Sequence, residues 1–376
     1  MAEIIGPSTI VRRAIPTGID GARVAEWRLK DGITFKEFVS RISLAIGAFN
    51  EEMNSKWSWL YNITELDAME DPDGGSITMM QPITDLDRVD MVHGETIGHM
   101  LDLKPYGGAV GGSWRYYRDS REAQILSDIR TIIRRAEWRF EYMLHARLFT
   151  NTENSIGAAG YDVPFVRGTG GNVDFTPPSF DGVAFASSHD HFIGLDSGSK
   201  TRAHQLNEMA ATLEEHGHVG PYTAIVSRAD VPLYAALTGF VQMVAPIIQT
   251  IDRGANTTGN VFYAQGQPMV TGGVFGYYQS DYGLVELRST NRVPTGHAAM
   301  VKSYGNDDPR NPLAIRVHPD QGFGLFIVPS MSDETAYPVS RLNIEFEFGI
   351  GVGEDRTNGT SSKLVSGGTY GNPTIT

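Results

Sequence analysis

From residue 119 to residue 150 the chain contains no glycine and no proline, and within that stretch apolar residues return at steps of three and four. Leu126, Ile129, Ile133, Ala136, Phe140, Met143, Leu144 and Leu148 draw one stripe down a helix. Arg130, Arg134, Glu137, Arg139 and Glu141 fall between them and give the other face its charge. Asp119, followed three residues later by Glu122, has the form of a capping box and marks the start. At about 1.5 Å per residue the helix would be roughly 45 Å long. Helices average about 11–12 residues, so one of this length either crosses a domain or carries other elements as a beam.

Composition limits what surrounds the beam. The chain of 376 residues is 41% hydrophobic, enough for sizeable cores and about two domains. Cysteine is absent, which removes disulfides and thiolate metal sites. A net charge of −13 argues against a duplex-DNA reader, which needs a basic stripe to displace counterions. No apolar run approaches the ~20 residues that span a bilayer, and residues 1–20 lack the hydrophobic centre of a secretory signal. A soluble protein, intracellular where it is made, is expected.

Residues 2–32 read as an extended arm interrupted by Pro7 and Pro16. Thr34 with Glu37 opens a first helix whose apolar positions (Phe38, Val39, Ile42, Ala45, Ile46, Phe49) carry it to about Asn54. Strand-like pieces at 59–63, 76–81, 88–93 and 96–103, broken by the Asp71-Pro72-Asp73-Gly74-Gly75 turn and by Pro82, then describe a long β-ribbon. Between Trp57 and Lys104 the acidic positions are 65, 67, 70, 71, 73, 85, 87, 90, 95 and 102, against Arg88 and Lys104 alone. Such a ribbon has little of its own to bury, because a lone hairpin is marginal in water. Either it is mobile or a partner completes it. Gly107 to Ser113 reads as a flexible joint before the long helix; it lacks the Gly-Lys-Ser/Thr ending of a phosphate-binding loop.

Beyond the long helix, residues 151–199 form a Gly-, Pro-, Asn- and Ser-rich excursion with short strands. Lys200–His216 reads as a helix ended by Gly217, Tyr222–Ser227 as a buried strand and Arg228–Val241 as a helix. Strands are expected at 269–270, 274–278, 284–288 and 298–301, and again between 313 and 329. Arg341–Gly353 alternates, with Leu342, Ile344, Phe346 and Phe348 on one face, and the tail beyond Val365 reads as irregular.

Familiar site chemistry is scarce. His189-Asp190-His191, with His204, His216 and His218 downstream, is the best metal candidate, since two histidines at i and i+2 can share an ion and imidazole with carboxylate suits zinc. So short a motif ordinarily marks a hydrogen-bonded turn, and neither a metal nor a cofactor is assigned. No Gly-x-Ser-x-Gly elbow exists, so no catalytic residue is assigned either. Gly349-Ile350-Gly351-Val352-Gly353 follows a strand but leads into turn chemistry, which rules out a dinucleotide fingerprint; its glycines read as places of close backbone approach or bending. Asp71 and Asp73 lack the rest of a calcium loop. Taken together, the ribbon acids (Asp71, Asp73, Asp85, Asp87) and the helix arginines (Arg130, Arg134, Arg135, Arg139) are complementary candidates for a subunit interface, where bidentate pairs fix register.

The order of parts resembles the major capsid proteins of tailed bacteriophages, the Hong Kong 97 fold. Asp181-Gly182-Val183-Ala184-Phe185-Ala186-Ser187-Ser188-His189 is similar to a loop of many phage capsid subunits, Ile225 to Leu233 to the strand-to-helix passage of their axial domain, and Phe346 to Arg356 to their closing strand. The resemblance implies an α+β subunit with an N-arm and first helix (1–56), an extended β-hairpin loop (57–118), a peripheral domain (119–220) with spine helix 119–150, an axial domain (221–312) and a return to the peripheral domain (313–376). It implies hexamers and pentamers closing into an icosahedral shell around double-stranded DNA, with no specific nucleic-acid binding, no membrane and no enzymatic role. Scaffolding, portal and decoration proteins would be further partners, with assembly in the host cytoplasm and residence in the virion. The short arm points to a separate scaffold or none. Lys104 is the only ribbon lysine, and no crosslink is carried over to it. An encapsulin-like nanocompartment is the alternative with the same fold; a metal-dependent enzyme using the His189–His191 loop is the alternative of another class.

Overall fold

The computed structural model describes residues 28–72, 96–113, 116, 119–152, 164–167, 176–243, 273–329 and 339–375. Helix α1 (Phe35–Trp57) begins where expected: the Thr34 hydroxyl accepts from the Glu37 amide at 3.3 Å and the Glu37 carboxylate accepts from the Thr34 amide at 3.1 Å. Strands β1 (Tyr61–Thr64), β2 (Ala68–Pro72), β3 (Thr96–Met100) and β4 (Lys104–Ser113) follow, then helix α2 (Glu122–Phe149). Next come β5 (Phe192–Asp196), α3 (Arg202–Glu214), β6 (Tyr222–Ser227), a 3₁₀ turn at Arg228–Asp230, α4 (Val231–Ala235) and β7 (Phe240–Gln242). The chain closes with β8 (Val274–Ser280), β9 (Gly283–Thr290), β10 (His297–Val301), β11 (Leu313–Val317), β12 (Leu325–Pro329), β13 (Val339–Val352) and β14 (Thr360–Val365). Among the described residues no helix is long and apolar enough to cross a membrane.

Helix α2 holds the first core. At 28 residues it is about 42 Å long. Its cap differs from the capping box expected of Asp119. The N-cap residue is Arg121, without a side-chain cap bond, and the Glu122 amide donates instead to the Asp31 carboxylate at 3.0 Å. Arg41 of α1 adds an ion pair to Glu122 at 2.8 Å. A residue 91 positions upstream therefore does the job assigned to a local one. From Phe140 to Phe149 the helix is buried almost all round, with Glu141, His145 and Arg147 buried among the apolar side chains.

The sheet that α2 packs on runs β1-β11-β13-β12, with β4 also paired to β13. The alternation read at 341–353 is present, with Ile344, Phe346 and Phe348 buried in the core beside Phe140. The Gly107–Ser113 joint is corrected: these residues belong to β4, which pairs with β13 from Lys104↔Phe348 to Ser113↔Val339. Its glycines thin the sheet under the helix. A Cβ on Gly108 would sit 3.1 Å from the Ile132 side chain, and one on Gly107 would sit 3.2 Å from Glu345 Cγ. On β13 a Cβ at Gly349 would overlap the Asp102 carbonyl oxygen, so close backbone approach is the reason for glycine there.

A second, seven-stranded sheet runs β5-β14-β10-β6-β9-β8-β7. It divides two cores by strict alternation. Ile225, Ala299 and Val301 face the α2 core, while Ala224, Val226, Ala298 and Met300 face a second core with Leu206, Met209 and Leu213 of α3. All six residues of Tyr222–Ser227 are buried for that reason, so β6 shows no exposed face in the sequence. β5 and β14 join this sheet from outside 221–312. The helix expected over Arg228–Val241 is corrected to a 3₁₀ turn and one short helix; Gly239 at φ 89° turns the chain into β7.

Among the described residues β2 and β3 pair only with each other, Ala68↔Met100 to Pro72↔Thr96. They form the stem of the expected ribbon. The strand expectations at 76–81, 88–93 and 269–270, and the arm at 2–27, lie outside the described residues.

Candidate functional site

The interface candidates on α2 divide along the helix. Arg130, Arg134 and Arg135 are exposed. Arg139 is half-buried, with its guanidinium 4.7 Å above the Tyr106 ring of β4, and serves helix–sheet packing. Beside this face stands Trp138, 48% exposed, stacked on Tyr142 with ring centroids 5.7 Å apart and approached by Arg292 at 5.9 Å. No sequence argument singled out Trp138. A tryptophan set between Glu137 and Arg139, off the apolar stripe, was the available signal. Leu44 on α1, 74% exposed, is a second uncovered apolar side chain. Asp71 lies on β2 in the ribbon stem, while Asp73, Asp85 and Asp87 lie outside the described residues.

The histidines of the metal candidate separate. His204 caps α3, its Nδ1 2.8 Å from the Thr201 hydroxyl, and His218 lies 2.9 Å from both the Tyr304 and Thr357 hydroxyls. His189, His191 and His216 meet. Their Nε2 atoms lie 3.2 Å (189–191), 2.9 Å (189–216) and 3.0 Å (191–216) apart. His191 is fully buried and its Nδ1 is 2.7 Å from the Gly359 carbonyl. Burial lowers the basicity of all three, taking His216 down to about 3 with help from His189 and His218, so they are neutral at pH 7. Phe185 covers the group, its ring centroid 4.2 Å from that of His216, and the Glu215 carboxylate stands 3.3 Å from His189 Nε2.

Where α2 meets the second sheet, a cleft of roughly 480 Å³ is lined in part by Lys56, Glu141, Arg228, Arg288 and Arg292. Several of its cations are engaged by neighbours. Glu141 receives Lys56 at 2.5 Å and Arg292 at 2.9 Å; burial raises its carboxyl, but these two partners outweigh burial and hold it below the ordinary range. Arg288 pairs with Glu286 at 2.7 Å and covers Trp59 at 4.4 Å. The cleft is thus braced internally.

One turn further along α2, His145 is fully buried against the edge of Trp57 at 5.2 Å, and its Nδ1 lies 2.7 Å from the Glu141 carbonyl. Burial pulls it to about 4, with Arg292 and Lys56 adding to the shift against the Glu141 contribution. An unfolded histidine titrates near 6.5, so between about 6.5 and 4 the unfolded chain binds the proton and the folded one does not. This contribution is fully present above pH 6.5 and is lost as pH falls to about 4, a loss of about 3 kcal/mol. Urea midpoints measured from pH 7 to pH 4 are expected to fall, and to fall less steeply in His145→Gln; parallel slopes would remove His145 as a cause.

No family model and no curated protein matches the chain. Among solved structures, a chain of Mycobacterium phage Patience aligns at a TM-score of 0.60 and 20% identity over 95% of this chain and 96% of that one. A capsid chain of the native GTA particle aligns at 0.46 and 10% identity, over 83% of this chain and 91% of that one. The SrpI encapsulin of Synechococcus elongatus aligns at 0.43 and 11% identity, over 86% and 92%. The fold assignment rests on the first of these. Spanning nearly all of both chains, it gives this protein the α+β, Hong Kong 97-like capsid fold that its order of parts resembles.

Proposed function

We propose that this chain is the structural subunit of an icosahedral phage head, assembling with itself into hexamers and pentamers around double-stranded DNA. The observation that carries the reading is the capsid fold shared over 95% of the chain. Two local features support it. Among the described residues the β2–β3 stem joins neither large sheet, and a two-stranded ribbon is marginal without a surface to lie on. The outward side of α2 carries unpacked arginines and an exposed tryptophan, the residue types enriched where protein surfaces meet. A net charge of −13 keeps a shell wall from gripping the phosphates it encloses.

In this reading the α1, α2 and β13 unit is the peripheral domain, the seven-stranded sheet with α3 and α4 is the axial domain, and the acidic ribbon docks on Arg130, Arg134 and Arg135 of a neighbour. The role is structural rather than catalytic, with residence in the virion after assembly in the host cytoplasm. Negative-stain microscopy of the purified chain is expected to show rings or closed shells; a monodisperse monomer at every concentration and salt would overturn the proposal. Shells that copurify with protein cargo and exclude DNA would favour the nanocompartment. Exposed charge substitutions change folding by only about ±0.5 kcal/mol, so Arg130→Glu with Arg134→Glu should leave the subunit folded while reducing shell yield. Adding Asp71→Lys and Asp73→Lys should restore yield if ribbon and helix pair, and normal yield from the arginine variant would remove that pairing.

A further inference from the structure

The convergence of His189, His191 and His216 is not absorbed by a capsid role, and hydrogen bonds among the three rings alone do not satisfy it. The Gly359 carbonyl can only accept, so His191 carries its proton on Nδ1 and presents a bare lone pair at Nε2. The other two Nε2 atoms complete a near-equilateral triangle with sides of 2.9–3.2 Å. Three points at about 60° to one another cannot hold linear hydrogen bonds along every side. If His189 and His216 both donate to His191, their N–H groups crowd each other; if either is bare, two lone pairs face across about 3 Å. A cation at the centre removes both conflicts.

We propose that His189, His191 and His216 bind a divalent transition-metal ion of the zinc class, with the fourth position left to water and the Glu215 carboxylate beside it. Zn–N bonds of about 2.0–2.1 Å at tetrahedral angles place neighbouring nitrogens about 3.3 Å apart, close to the observed triangle. The Glu215 oxygen, 3.3 Å from His189 Nε2, puts a carboxylate beside the three imidazoles that can balance the charge of the ion. The His191 Nδ1 to Gly359 contact is the outer-shell bond that fixes the tautomer and aim of a metal-bound imidazole. Local structure presents the ligands: Asp190 accepts from the Phe192 amide at 2.8 Å, setting the turn between His189 and His191. Gly217 at φ 87° turns the chain after α3, and a Cβ there would sit 2.6 Å from the Phe180 ring. Three protein ligands hold the ion and leave its fourth position to water. It ties the 186–191 loop, the end of α3 and the turn before β14 together, a crosslink in a chain that has no cysteine.

The test is metal analysis of the purified full-length chain, loaded with zinc and dialysed against metal-free buffer. The count reads the subunit and is the same whether or not shells form, so it is independent of the capsid proposal. About one zinc per chain is expected, with cobalt substitution giving the intense visible bands of a four-coordinate ion. His216→Gln should lose the metal and His204→Gln should keep it. Glu215→Gln, altered at an exposed position, should fold normally and bind zinc on the order of tenfold or more weakly. Chelator should lower the thermal midpoint of the wild type and leave that of His216→Gln unchanged. Substoichiometric zinc in the wild type, equal zinc in His216→Gln, or a midpoint indifferent to chelator would each overturn the site.

Discussion

Phe140→Ala is expected to destabilise the folded subunit by about 3–5 kcal/mol. The ring has no exposed surface and stands where four elements of the first core meet. Tyr61, beside it on β1, is 6.1 Å away edge-on; Phe348 and Phe346 on β13 are 5.5 and 5.9 Å away, and Phe323 ahead of β12 is 5.6 Å away. Truncation removes the ring's burial and leaves a cavity between a rigid helix and a sheet, neither of which can close over it. Edge-to-face pairs worth about 0.5–1.5 kcal/mol beyond their area are lost with it. Phe140→Leu retains most of the volume and should cost less. Arg134→Ala on the exposed face should stay within about 0.5 kcal/mol. Urea unfolding of the unassembled subunit measures all three, and a loss below about 1 kcal/mol for Phe140→Ala would mean that the aromatic cluster does not hold α2 on its sheet.

This centre of the fold was legible because its signals are local and periodic. Thr34 and Glu37 lie three residues apart, and both bonds of their box form. Tyr222–Ser227 is a run of buried residues because two cores take alternate side chains. What sequence reasoning missed depends on partners distant along the chain. Gly107 and Gly108 looked like a hinge because the reason for them, Ile132 and Glu345, is supplied by a helix and a strand that come later. Asp119 was the nearest plausible cap for α2, but Asp31 reaches it from the segment ahead of α1. The histidine cluster was half legible: His189 and His191 are near neighbours in sequence, whereas His216 joins them only through the turn at Gly217. No periodicity marks β14, whose register is set by β5 and β10.

The same distinction governs the second large effect, Asp230→Ala, which is expected to cost about 3–5 kcal/mol. Sequence reasoning gave Asp230 no role beyond membership of the helix expected over Arg228–Val241; the structure buries it at 1% exposure. Its Oδ2 accepts from Arg202 Nη2 at 2.8 Å and from the Gly296 amide at 2.7 Å. Arg202 also donates to Gln205 at 2.9 Å, and Gln205 donates to Ser362 on β14 at 2.9 Å and to the Gly296 carbonyl at 3.1 Å. Tyr234 donates to Gln205 at 3.0 Å. The network joins α3, α4, β14 and the turn before β10 through polar side chains and backbone groups. Removing the carboxylate strands a buried guanidinium and a buried amide, so the cost exceeds the modest net worth of the pair itself. Asp230→Asn keeps an acceptor for one donor and should fall between wild type and alanine. Arg202→Leu should destabilise by a comparable amount, since it leaves the carboxylate without its counter-charge. If Asp230→Ala unfolds at the wild-type urea concentration, the network contributes no net stability, and the apolar contacts of α3 with β10 and β14 alone hold the second core. Should the loss appear as expected, the arrangement suits the proposed role. A shell subunit must present the same surfaces to every neighbour, and a directional polar network fixes how α3 sits on its sheet more strictly than apolar packing can.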